Sequence, residues 1–153
     1  MSAYTTGYST GFGPLPAPPP PPPPAVGSVR DRIAAALAAI PQVTAGDWTV
    51  LAAATDTVEP PAYVIVDGPD PGGTRQTFCT YQVQFEVLCV AHRLEPEANV
   101  LVVDDMIEAA VVALEAAGLA PYQWLVAAPL ELAQITYLAA RLQLRQPVTI
   151  GVP

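Results

Sequence analysis

The sequence predicts an α+β domain: a mostly antiparallel sheet of about five strands with two helices packed on one face, preceded by an extended proline-rich arm. Three observations predict it. Two segments repeat apolar residues at helical spacing, and two long segments alternate apolar with polar residues. Residues 1–27 hold an unbroken run from Pro18 to Pro24 and no pattern that could build a core.

The arm (1–27) opens with Tyr4, Tyr8 and Phe12, an aromatic every four residues among small polar ones. Seven consecutive prolines favour polyproline II, a stiff rod of about 22 Å at about 3.1 Å per residue. The remainder, 28–153, is long enough for one domain. Its first helix is expected over 29–40, with Ser28 as N-cap and Asp31 as a partial capping box. Val29, Ile33, Leu37 and Ile40 form its stripe, and Pro41 ends it.

Strands are expected at 48–53 and 63–66, then a turn-rich loop over 67–75 that carries Arg75. A long strand follows over 76–91. Its odd positions, from Cys79 to Cys89, read as buried, and Thr80, Gln82, Gln84 and Glu86 as wet. The second helix is expected over 100–117, capped by Asn99, stopped by Gly118, with Val100, Val103, Ile107, Val111 and Leu114 inward. Strands at 122–127, ending before Pro129, and at 134–145 complete the order. In the last, Leu138, Ala140, Leu142 and Leu144 share one face, and Tyr137, Arg141, Gln143 and Arg145 the other. A strand of up to 16 residues outruns the usual length of about 5–6. That length suggests pairing or packing across a subunit boundary.

Composition narrows the function. An apolar share of 52 % supports a real core, yet charged residues are only 13 % against a usual share of roughly 25 %. Such a surface suggests cover by other subunits. Six arginines, no lysine and 14 acids give a net charge of −8, which excludes a dense phosphate-binding patch. DNA could pass such a surface without adhering. The N-terminus has no signal-peptide pattern, and no apolar run approaches the roughly 20 residues that span a membrane.

Chemistry finds little support, and the sequence reads as a non-enzyme with no cofactor or metal. Without lysine there is no Walker phosphate loop and no Schiff base. His92 is the only histidine and no Cys-x-x-Cys occurs, which removes the usual zinc patterns. Cys89 and His92 could suggest a thiol and its base, but a strand-face thiol and a histidine in the following turn do not meet. Cys79 and Cys89, read as one strand, lie roughly 33 Å apart and cannot pair. Asp104 and Asp105 diverge by about 100° on a helix and read as solvated charges.

One pattern runs the length of the body. It opens with Val29-Arg30-Asp31-Arg32-Ile33 and continues through Pro60-Pro61-Ala62-Tyr63-Val64-Ile65-Val66 and Glu86-Val87-Leu88-Cys89-Val90. It then runs through Val102-Val103-Asp104-Asp105-Met106-Ile107 and closes on Ile135-Thr136-Tyr137-Leu138-Ala139-Ala140-Arg141-Leu142. In the order and spacing of these pieces the body resembles the tail terminator proteins of long-tailed (siphovirus-type) bacteriophages. The resemblance implies a structural virion protein of the tail or neck, made in the host cytoplasm. It implies a ring, a hexamer in that family, that caps the tail tube and joins it to the head. The implied partners are other copies, the tail-tube protein and a head-closure or connector protein, with DNA passing through the channel. Another neck ring component, head-closure or adaptor, is the nearest alternative. A soluble proline-rich recognition module is the alternative from another class. The candidate interface residues are Tyr4, Tyr8 and Phe12 of the arm, Arg75 of the loop, and Gln82, Gln84, Glu86, Arg141 and Arg145 of the long strands.

Overall fold

Apolar side chains four residues apart do close into a helix at the start of the body. The computed structural model describes residues 14–19, 26–55, 57–68, 73–77, 79–93 and 100–150. In it α1 runs Val26–Ala38 and buries Val29, Ile33 and Leu37. The helix starts earlier than expected, so Ser28 lies inside it and is not its cap, and Asp31 falls beyond the first turn. The boundary between arm and body accordingly moves to Val26, which packs against the core. The helix also ends earlier. Proline disfavours helical backbone at the residue before it, and Ile40 is extended at φ −63°, ψ 133°. Pro41 then opens a short helix, α2 (Pro41–Thr44), at a first-turn position that needs no N–H.

The sheet has six strands, one more than expected. They are β1 (Thr49–Leu51), β2 (Ala62–Asp67), β3 (Gly73–Thr77), β4 (Thr80–Arg93), β5 (Gln123–Leu132) and β6 (Ile135–Thr149). The order is β1-β2-β4-β6-β5, with β3 also on β4. All pairs are antiparallel except β1 with β2.

The extra strand comes from dividing the long segment expected at 76–91. Cys79 takes φ +61° between β3 and β4, which pair with each other. The alternation continued across this turn and hid it. Arg75 therefore sits in a strand, not in a loop. His92 sits in β4, not in a turn, and Cys79 is in the turn and half-buried.

The great length of β4 is paired along both edges within the chain, so its hydrogen bonds do not require a subunit boundary. Along one edge β2 covers Phe85–Val90 and β3 covers Thr80–Val83, in series. Along the other edge β6 pairs from Thr80 to Arg93. Gly68 bridges the gap between β2 and β3, its N–H donating to Gln84 O at 3.0 Å. A Cβ on Gly68 would stand 2.5 Å from the Gln84 Cβ, so no side chain fits this crossing.

β5 continues through Pro129, where a break was expected. It is an edge strand, which tolerates a missing donor. A two-residue turn, Ala133 and Gln134 at φ +50° and +66°, joins it to β6. This is the left-handed pair that a tight hairpin requires, made without glycine.

α3 (Val100–Ala116) closes the layer. It buries Val103, Met106, Ala110 and Leu114, while Ile107 and Val111 are half-buried. The stripe is thus rotated from the expected one, because apolar residues occur nearly all round this helix. Asn99 lies outside the described residues. Gly118 stops α3 as expected, at φ +73°. Leu119 N–H donates to Leu114 O and Gly118 N–H to Glu115 O, which satisfies the last carbonyls.

The main core lies between α1, α3 and the sheet, around Phe85, Val87, Leu142 and Leu144. Tyr63 stands in it, edge-on to Trp48 at 5.9 Å, with its hydroxyl donating to Met106 O at 2.8 Å. Arg30 ties α1 to the sheet, donating to Ala52 O and meeting Asp67 Oδ1 at 2.7 Å. Arg32 donates to Ala117 O just past α3, favourable for a cation at a helix C-terminus.

Candidate assembly surfaces

The opposite sheet face is not uniformly wet, as its alternation implied. Half of it is a second apolar cluster: Val58, Ala62, Val64, Leu88, Val90, Tyr137 and Ala139. Tyr137, expected among the polar residues, is buried, and its hydroxyl donates to Val58 O at 3.3 Å. The segment between β1 and β2 thereby lies over this face.

The other half is polar, and here the register collects most of the expected residues. Glu86 stands opposite Gln143, and Gln84 opposite Arg145. Gln143 stands opposite Gln123 of β5. Glu86 and Gln143 are each only 5 % exposed, which corrects the reading of Glu86 as a solvated side chain. Gln143 Nε2 donates to Glu86 Oε2 at 3.1 Å. Gln143 Oε1 accepts from the Tyr122 hydroxyl at 3.0 Å and from Gln123 Nε2. Arg141 approaches Glu86 Oε1 at 3.7 Å, and Arg145 lies 4.3 Å over the Tyr122 ring. This is a tied network with cationic heads at its rim. Tyr122 and Gln123 were absent from the expected set because only the β5–β6 register brings them in.

Arg75 does not join this patch. It pairs with Tyr81, which packs on the helix side, and its Nε donates to Thr77 O at 3.4 Å. Tyr4, Tyr8 and Phe12 lie outside the described residues.

A second surface went unseen in the sequence. On the helical side, a groove of about 820 Å³ runs between the end of α1 and α3, lined by Ala36, Ala39, Ala109, Ala113 and Ala116, with Asp105 and Glu108 beside them. Val112 and Glu108 also line a smaller slot that ends on Trp124. Apolar surface therefore continues from the groove to the sheet edge. Val112 is 63 %, Trp124 58 % and Val126 80 % exposed, beside Leu125 and Tyr122. Val126 stands where the β5–β6 register shifts.

Burial pushes the Cys89 thiol well above its ordinary value, so it stays protonated. His92 Nδ1 is 2.9 Å from Arg93 O. Asp104 and Asp105 are exposed, and no group of three or more potential metal ligands occurs among the described residues. No described helix is long and apolar enough to cross a membrane.

Comparison with protein-family models, with curated proteins and with solved structures finds no match. The resemblance to tail terminators is carried by the sequence pattern.

Proposed function

We propose that the chain is a non-enzymatic structural subunit that assembles head-to-tail with its own copies into a ring. Its role is that of the tail terminators it resembles: capping a tail tube and offering a surface to a head-closure or connector protein in the virion. The observation that carries the assembly reading is the β5 edge. Residues 116–130 contain no charged side chain, and within them Trp124, Leu125 and Val126 are exposed on an edge strand. Edge strands of monomers are normally guarded by charge, because an open edge is a template for pairing. Pro129 blunts the later half of β5 and leaves 123–126 open.

A head-to-tail contact repeated by rotation closes a ring. Six copies at −8 each would carry −48, a sign that lets DNA slide past without adhesion. Arg141 and Arg145 rim the polar sheet face, the surface best suited to a neighbour that presents acidic side chains.

Native mass measurement and negative-stain imaging of the full chain test this. A closed oligomer that falls to monomers in Trp124→Glu/Val126→Glu supports the reading. A wild-type chain that stays monomeric at tens of micromolar rejects it and favours the proline-rich recognition module. A ring that binds a head connector but not a tail tube would favour the head-closure or adaptor role.

A further inference from the structure

We infer that the alanine-lined groove between α1 and α3 receives the N-terminal arm of a neighbouring copy, through Leu15 and the aromatic series Tyr4, Tyr8 and Phe12. This rests on the ring reading, since it requires a second copy.

The groove has the properties of a receptor for apolar side chains. Alanine methyls give it a small-residue floor, and its volume of about 820 Å³ falls within the range of roughly 300–1,000 Å³ typical of ligand pockets. Asp105 and Glu108 stand beside it and restrict what can enter. All 14 acids of the chain lie at or after Asp31, so two bodies of net −8 meeting here would oppose each other. The arm is the longest segment without a charged side chain: residues 1–25 contain no Asp, Glu, Lys or Arg. An uncharged segment meets no such opposition from an acidic rim. Its tyrosine hydroxyls can donate to those carboxylates while the rings fill the groove.

The arm belongs to another copy and not to the same chain. Residues 14–19 are all exposed, with Leu15 at 93 %, so this part of the arm does not lie on its own body. The groove sits at the far end of α1 from the arm's root at Val26. Ten residues lie between Leu15 and Val26, and in polyproline II geometry the eleven steps would span roughly 34 Å, against roughly 20 Å along α1 from Val26 to the groove at Ala39. A stiff proline spacer would overshoot the groove of its own body and reach a neighbour's, and rigidity lowers the entropy lost on docking.

Two full-length variants test this in a Cys79→Ser background: Leu15→Cys and Ala39→Cys. After mixing and treatment with a flexible bismaleimide, a covalent heterodimer is expected. Ala116→Trp, which fills the groove at an exposed position, should cut its yield at least tenfold, as should Tyr4→Ala/Tyr8→Ala/Phe12→Ala. A third variant carrying both Leu15→Cys and Ala39→Cys overturns the inference if it links only within one chain, as does a heterodimer yield untouched by Ala116→Trp. A closed oligomer by native mass with no such cross-link rejects the arm contact and leaves the ring reading standing. A monomer by native mass with no cross-link rejects both.

Discussion

The two faces of the sheet hold the body together by different means. The helical face is covered by α1 and α3, whose apolar stripes come from local periodicity, and it is filled mostly with side chains that need no polar partner, the Tyr63 hydroxyl being satisfied by Met106 O. Among the described residues no helix lies over the opposite face. It combines a small apolar cluster under the β1–β2 segment with a polar network between β4, β5 and β6. The first can lose volume and suffers only the loss of packing. The second can lose one member and strand its partners, because buried polar groups left without hydrogen bonds are costly.

The sharpest way to break this comparison is on the helical face. Phe85→Ala empties a fully buried ring site and should cost about 3–5 kcal/mol in denaturant unfolding. A loss under 1 kcal/mol would mean that this face is not the main core. On the other face, Glu86→Ala should cost about 1–3 kcal/mol, since Gln143 and Arg141 lose their acceptor. A solvated Glu86 would cost within about 0.5 kcal/mol. A double-mutant cycle with Gln143→Ala sharpens the result. Coupling of at least 0.5 kcal/mol is expected for residues in one network, and additive losses would show that the network does not exist.

Tyr137→Phe removes only the hydroxyl that reaches Val58 O, and should cost about 1 kcal/mol. Limited proteolysis between β1 and β2 should quicken alongside. Unchanged cleavage would show that this contact does not hold the segment down.

The helical face should also register alkaline pH. Burial raises the Cys89 thiol and the Tyr63 phenol, the latter helped by Cys89, so both are neutral in the fold. A folded pKa above the unfolded one gives stability that is complete below the unfolded value, about 8.5 for a thiol and 10 for a phenol. It is lost as pH rises beyond that value towards the folded pKa. Melting temperature should fall from pH 8.5 upward, with a shallower slope in Cys89→Ala. A slope that Cys89→Ala leaves unaltered would remove the thiol from this account. The smallest effect belongs to the sheet edge: Val126→Glu should change monomer stability by no more than about 0.5 kcal/mol. A larger change would mean that Val126 packs on its own chain.

The sequence alone determined the fold class, the two main helices, the Gly118 stop and the inward parity of Phe85, Val87, Leu142 and Leu144. Each of these follows from spacing of 3.6 or 2 residues, or from one residue's backbone preference, which are local physics. Alternation also misled. It runs unbroken through the Cys79 turn, because a positive φ at a non-glycine residue leaves no mark in a hydrophobic pattern. It assigned Glu86 and Tyr137 to a wet face, because parity says which side a residue faces and not what lies over that side. Among the expected interface residues, Gln82, Gln84, Glu86, Arg141 and Arg145 come together, while Arg75 is carried to the other face by the β3–β4 register. Only the tertiary structure decided the second core, the network centred on Gln143, and the groove that continues to Trp124. All three depend on strand order and on helices crossing the sheet, which set neighbours between residues 20 to 85 positions apart, beyond the reach of any local pattern.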